Sequence, residues 1–303
     1  MQMSVFALAV ALLTGATLIT PAFAEIHVRE GTKFPTISSA LAAAQDGETI
    51  LVAPGTYHEH PVVKRSVTLI AEDGEVTIDG DGTGTVLTIR APRVTITGFR
   101  IRGSGRNRSP YMLWGDAGVA IRADNVRLEA NEITDNESGI LVWLASGTVI
   151  VNNHVHANGM EGILAFGTSH FSIHNNLVEQ NGSTGIAIYK VDPKTKNDIR
   201  ASARMEDYII PEKGNIFNNI VRNNTLAGIL LSGARETVVE NNYVRKNRKS
   251  PQEFSTILQD KEHFPEEAIE LYNRMDGSGI LIYCDSAQNI ILSNHVSKNI
   301  KSE

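Results

Sequence analysis

Residues 139–158 read GILVWLASGTVIVNNHVHAN, and residues 162–181 repeat the plan as GILAFGTSHFSIHNNLVEQN. The same Gly-Ile or Gly-Val start recurs at Gly118, Gly139, Gly162, Gly185, Gly228 and Gly279. The first intervals are 21, 23 and 23 residues; the later ones, 43 and 51, are one period plus an insertion. An Asn follows at a near-constant distance (Asn131, Asn153, Asn176, Asn242, Asn294), and a second Asn five residues later (Asn136, Asn158, Asn181, Asn247, Asn299). A period just above twenty, built from β-prone residues and punctuated by Gly and Asn, predicts an all-β parallel solenoid of eight or nine coils.

Strand side chains alternate, so each repeat can be phased. With Ile140, Val142, Ile150 and Val155 inward, the Asn residues fall at buried corners. Identical amides stacked about 4.8 Å apart can hydrogen-bond from coil to coil. The same phase sends two files outward. One is Ala120, Leu141, Leu164, Ala187, Leu230, Leu281; the other is Arg122, Trp143, Phe166, Tyr189, Ser232, Tyr283.

The 303 residues suit one solenoid domain, 25–303, since each coil contacts only its neighbours. The formal charge of −6 argues against non-specific nucleic-acid binding, and one cysteine, Cys284, excludes an intramolecular disulfide. Residues 1–24 read as a signal peptide: an uncharged apolar stretch from Val5 to Ile19, then Ala22-Phe23-Ala24, with cleavage expected after Ala24. No later segment is apolar enough to span a membrane, so a periplasmic or secreted protein is expected. FPTISSALAAAQD (34–46) predicts a short amphipathic helix that covers the first coil.

The runs GETILVAPGTYHE and IDGDGTGTVLTIRAPRVTITGFRIRGSG, followed by DAGVAI, resemble the opening of NosD-type periplasmic proteins. These form a branch of the carbohydrate-binding and sugar-hydrolase β-helix group, in the pectin-lyase-like superfamily. The resemblance implies a single-stranded right-handed parallel β-helix. It also implies an accessory role in copper-site assembly of nitrous-oxide reductase. The same opening occurs in polysaccharide lyases and epimerases. Two insertions, about 190–213 and 248–278, set this chain apart from the NosD pattern.

The first insertion leaves after the strand ending at Tyr189, and the second returns before Gly279. Two walls beside one sheet describe a groove. Its expected lining is Trp143, Phe166, Tyr189, Lys190, Arg204, Tyr283 and Asp285, facing a polysaccharide or a periplasmic protein partner. The bland alternative is that the insertions fold over the aromatic file and bury it. A uronate lyase or epimerase needs a cation, a base and an acid at such a groove; Arg200 and Tyr208 extend the list, and no compact motif links them.

His154 and His156 share a strand face. The repeat register places Glu132 one coil before His154 and Glu179 one coil after His156. Two imidazoles and two carboxylates can hold copper or another divalent metal; equally, they can be a solvated polar face. His58 and His60 form a second His-x-His pair, and Cys284 is a lone thiol near the groove strand.

Overall fold

The computed structural model of the chain describes residues 25–106, 115–191, 209–247, 279–283 and 286–299. Three strands per coil stack into three sheets of ten, nine and eight strands, and every pairing between strands is parallel. In chain order the first sheet opens with Glu25–Val28 and Thr49–Val52, the second with Gly55–His58, and the third with Val62–Val63. The expected solenoid, its phase and its coil number all stand.

Alternation builds the interior. Ile140, Ile163, Ile186 and Ile229 pair in register along the third sheet, and each is fully buried. Ile150, Ile173 and Ile216 do the same on the first sheet, and Val155, Val178 and Val221 on the second. At the last coil the inward positions Ile282 and Val296 are 42% and 48% exposed, because no further coil follows among the described residues.

Two corners per coil make this possible. The residue ahead of each corner Asn takes a left-handed conformation, with φ between 50° and 57° at Asn152, Asn175, Ala157 and Gln180 among others. Such backbone costs a non-glycine residue about 1–2 kcal/mol. The following Asn offsets it. Asn153 Nδ2 donates to Asn176 Oδ1 (3.1 Å) and to the carbonyls of Leu128 and Val151; Asn176 Oδ1 also accepts from the Asn153 amide N–H (2.9 Å). The ladder continues through Asn219, Asn242 and Asn294, and a second runs Asn136–Asn158–Asn181–Asn224–Asn247–Asn299. Asn219 and Asn224 complete the rows at the coil that the first insertion displaces in sequence.

The glycine opening each repeat answers a steric demand. A Cβ on Gly162 would lie 2.6 Å from Val178 Cγ1 and 2.8 Å from both the Asn181 amide and the Gly185 carbonyl.

The helix, α1, spans Ile37–Ala43, shorter than the expected 34–46, because Thr36 caps it in a reciprocal pair with Ser39. The Glu59 carboxylate accepts from Ile37 N and Ser38 N at 2.7 and 2.8 Å. Ile37, Ala40 and Leu41 join the interior core, so the helix closes the first coil. Val191 and Ile209 exchange backbone hydrogen bonds in an antiparallel bridge, the neck from which the first insertion departs beside Tyr189. Residues 1–24 and 248–278 lie outside the described residues.

Replacing Asn176 by Leu removes the partner of Asn153 N, Asn153 Nδ2 and the Ile150 and His174 carbonyls. Each buried group left unmade costs about 1–3 kcal/mol, so a loss of roughly 3 kcal/mol or more is expected in urea denaturation. A leucine variant with an unchanged midpoint would contradict this account.

Candidate functional site

The outward files of the third sheet are where the repeat register places them. Trp143, Phe166 and Tyr189 pair strand to strand, with Ser232 and Tyr283 continuing the column. Ring centroids lie 5.4 Å apart from Trp143 to Phe166 and 5.5 Å from Phe166 to Tyr189, the latter pair stacked at 22°. Leu141, Leu164, Ala187 and Leu230 run alongside and form a second apolar cluster, separate from the solenoid interior.

The exposure of this file differs from the expectation of an open row. Phe166 is fully buried, and Leu141, Leu164, Ala187 and Leu230 are nearly so. Val191, Leu226 and Ala227 pack into the same cluster, and the flanking rings press on Phe166 from both sides. Trp143, Tyr189 and Tyr283 keep part of their surface. Lys190 is half-buried, with its stem over Gly233. Arg200, Arg204, Tyr208, Cys284 and Asp285 lie outside the described residues.

Two carboxylates escaped the sequence reading. Glu137 is 1% exposed and Glu161 is 8% exposed, both at the turns that feed the third sheet. Glu161 Oε1 accepts from Ser183 Oγ at 3.0 Å. The position before the opening glycine holds Ser138, Glu161, Thr184 and Ala227 in successive repeats. A carboxylate in a slot otherwise small and uncharged was the available signal.

On the second sheet the register is as expected, Glu132 against His154 and His156 against Glu179. The side-chain contacts cross that register. His154 Nε2 lies 3.1 Å from Glu179 Oε1, and His156 Nε2 lies 3.0 Å from Glu132 Oε1. The two imidazoles stack with centroids 4.0 Å apart. Arg222 Nε donates to Glu179 Oε2 at 2.7 Å, and Arg100 Nε is 3.7 Å from Glu132 Oε2. The four named side chains therefore form one cluster of two separate histidine–glutamate pairs. The inner carboxylate oxygens face imidazole nitrogens, and arginines hold the outer ones. The two imidazole nitrogens face opposite coils, so the ligand atoms of these four residues do not gather on one point; among the described residues only His58, Asp79 and Asp81 bring three such atoms within 4.8 Å of one another.

His58 and His60 do not converge. His58 Nδ1 lies 2.7 Å from Asp81 Oδ1, and with Asp79 the three form a compact group. Asp79 is already engaged, by Arg102 at 2.9 Å and by the Asp81 N–H at 3.0 Å. His60 turns instead to the Thr85 carbonyl and to Thr83.

Burial works to raise the Glu179 pKa, but the hydrogen bonds from Arg222 and His154 outweigh it and the net shift is downward. A depressed carboxylate contributes stability that is present above its unfolded pKa of about 4.3 and is lost as pH falls through the folded value. The Glu179→Gln variant is expected to lose about 1.5–3 kcal/mol at pH 7 and to show a weaker acid dependence below pH ~4.3, read by denaturation at several pH values. Parallel pH profiles for the two proteins would sink the pairing as a stability element.

Comparison with known proteins agrees with this architecture. A family model described as a right-handed beta-helix region matches residues 74–203. A probable ABC transporter binding protein NosD of Pseudomonas aeruginosa is 30% identical over 122 residues, covering 39% of this chain. The aligned part spans only 27% of that relative's length. Among solved structures, the periplasmic alginate epimerase AlgG superposes with a TM-score of 0.56 at 12% identity, over 83% of this chain and 51% of the other. The A-module of the Azotobacter vinelandii mannuronan C-5 epimerase AlgE6 gives 0.53 at 15%, over 87% and 72%. At these identities the structural likeness concerns the fold alone. No helix among the described residues is long and apolar enough to cross a membrane. With three all-parallel sheets and a right-handed beta-helix family model over residues 74–203, the chain is a single-stranded right-handed parallel β-helix that is similar over part of its length to NosD.

Proposed function

We propose that this protein is an exported binding protein that holds an extended glycan along the outer face of its third sheet. The observation that carries the reading is the file Trp143–Phe166–Tyr189, one ring per coil along the solenoid axis. Buried Phe166 acts as a spine, and Trp143 and Tyr189 retain exposed surface on either side. Flat aromatic faces suit sugar rings, and a repeating surface suits a repeating polymer. Export rests on the apolar stretch before Ala24. The name of the Pseudomonas aeruginosa relative, a binding protein, accords with this reading.

Glycan-array screening of the chain from Glu25, followed by calorimetry on the best oligosaccharide, tests it. The Trp143→Ala/Tyr189→Ala double variant is expected to bind roughly tenfold more weakly or worse, from about 0.5–1.5 kcal/mol lost per aromatic contact, with the β-helix fold retained by circular dichroism and a lower melting temperature because Phe166 loses its flanking rings. Absence of binding to every glycan on the array would overturn the proposal and leave a protein partner as the occupant.

The stacked His154 and His156 rings, each beside a carboxylate, motivate a second reading, a divalent metal site formed when the imidazoles turn from their present partners Glu179 and Glu132. A bound copper or zinc would be held by the unprotonated imidazole nitrogens of His154 and His156. Titration with Cu(II) and Zn(II), beside the His154→Ala/His156→Ala variant, decides it. Equal uptake by both proteins, or none by either, returns the four residues to a solvated ion-pair cluster.

A further inference from the structure

The column that carries the aromatic file does not begin at Trp143. Ile89 and Ile121 are inward and pair in register with Val63 on one side and Val142 on the other. The next residue on each strand therefore points outward. Those residues are Lys64, Arg90, Arg122 and Trp143. The Arg90 N–H donates to the Val63 carbonyl and the Arg122 N–H to the Ile89 carbonyl, both at 2.9 Å, so the column stays in step past the strand ends. Three cations on three successive coils, about 4.8 Å apart along the axis, run straight into the aromatic rings.

Like charges in direct cross-strand register repel. Arg29, Arg100, Arg102, Arg127 and Arg222 each lie beside a carboxylate, while among the described residues Arg235 and Arg245 have none. Lys64, Arg90 and Arg122 are exposed and make no ion pair or side-chain hydrogen bond among the described residues. Arg65 and Arg93, at the corner that follows, are exposed as well. The acids at that corner are committed to backbone, Asp46 to Ser66 N and Asp124 to Ser146 N. Partial desolvation and then repulsion from Arg90 lower the Arg122 pKa, as expected for a cation beside an unneutralised neighbour. This concentration of positive charge stands out in a chain of net charge −6.

We infer that Lys64, Arg90 and Arg122 form an anion-binding ladder that receives the charged groups of a linear acidic polysaccharide, whose uncharged ring faces continue onto Trp143. The inference rests on the glycan reading for the polymer and on the ladder for its charge. An anion at each coil relieves the repulsion that the fold otherwise carries. Continuity with the aromatic file selects an anionic glycan over a nucleic acid, which the negative charge of the rest of the chain would repel.

Affinity electrophoresis of the chain from Glu25 through gels containing polygalacturonate, carboxymethylcellulose, neutral hydroxyethylcellulose or duplex DNA tests the assignment. The expected result is retardation by at least one carboxylated polymer, weakening steeply with salt. The Lys64→Gln/Arg90→Gln/Arg122→Gln variant should lose tenfold or more of that affinity, with unchanged retention on hydroxyethylcellulose and unchanged melting. Trp143→Ala should weaken retention on charged and neutral polymers alike. If the triple variant runs like the parent on both carboxylated polymers, or the parent is retained by neither, the ladder is overturned. If the triple variant loses retention while Trp143→Ala changes nothing, the ladder stands and the aromatic reading falls. Retention by DNA as strong as by the carboxylated polymers, and lost in the triple variant, would overturn the glycan class in favour of an unselective polyanion patch.

Discussion

Everything in this molecule depends on how a parallel strand turns a corner inside its own core. The turn needs a left-handed residue and leaves buried carbonyl and amide groups that no strand can pair. The residue ahead of each corner takes the left-handed conformation, and the asparagine that follows satisfies the buried groups, because one amide accepts from the coil before and donates to the coil after. Asn131 to Asn294 and Asn136 to Asn299 form two continuous rows of this kind. A carbonyl oxygen with two lone pairs and an NH2 with two protons are the minimum set for the task, which serine or aspartate cannot supply.

The rows do more than stabilise. They lock each coil to the next without slippage, so that position n in one repeat lies over position n in the following one. Register errors in strands exchange the buried and exposed faces, and here one slip would carry the interior isoleucines outward. Because the lock holds, outward residues fall into straight columns. Lys64, Arg90, Arg122, Trp143, Phe166 and Tyr189 form one such column only because the corners behind them are in phase. A solenoid of this type converts a periodic sequence into a linear array of side chains, a geometry matched to extended ligands.

The second sheet shows the limit of column logic. Register places Glu132 against His154 and His156 against Glu179, yet the contacts run diagonally. Stacking of the two imidazoles turns each Nε2 toward the carboxylate diagonally opposite, and Arg100 and Arg222 draw the outer oxygens away. Long side chains on adjacent strands reach several partners, so rotamer choice is a collective property of the cluster rather than of any pair.

The periodicity of Gly, Ile and Asn alone determined the solenoid, its phase and the identity of the outward columns. That information is local, since alternation along a strand and repetition between coils follow from chain geometry. Sequence also placed His154, His156, Glu132 and Glu179 together, because register follows from the repeat. Tertiary structure decided what covers a face. Phe166 was legible as outward but not as buried, since Val191, Leu226 and the flanking rings reach it from distant parts of the chain. Burial of Glu137 and Glu161 escaped for the same reason. The unneutralised state of Lys64, Arg90 and Arg122 was likewise hidden, because the absence of a partner depends on where every nearby carboxylate comes to rest.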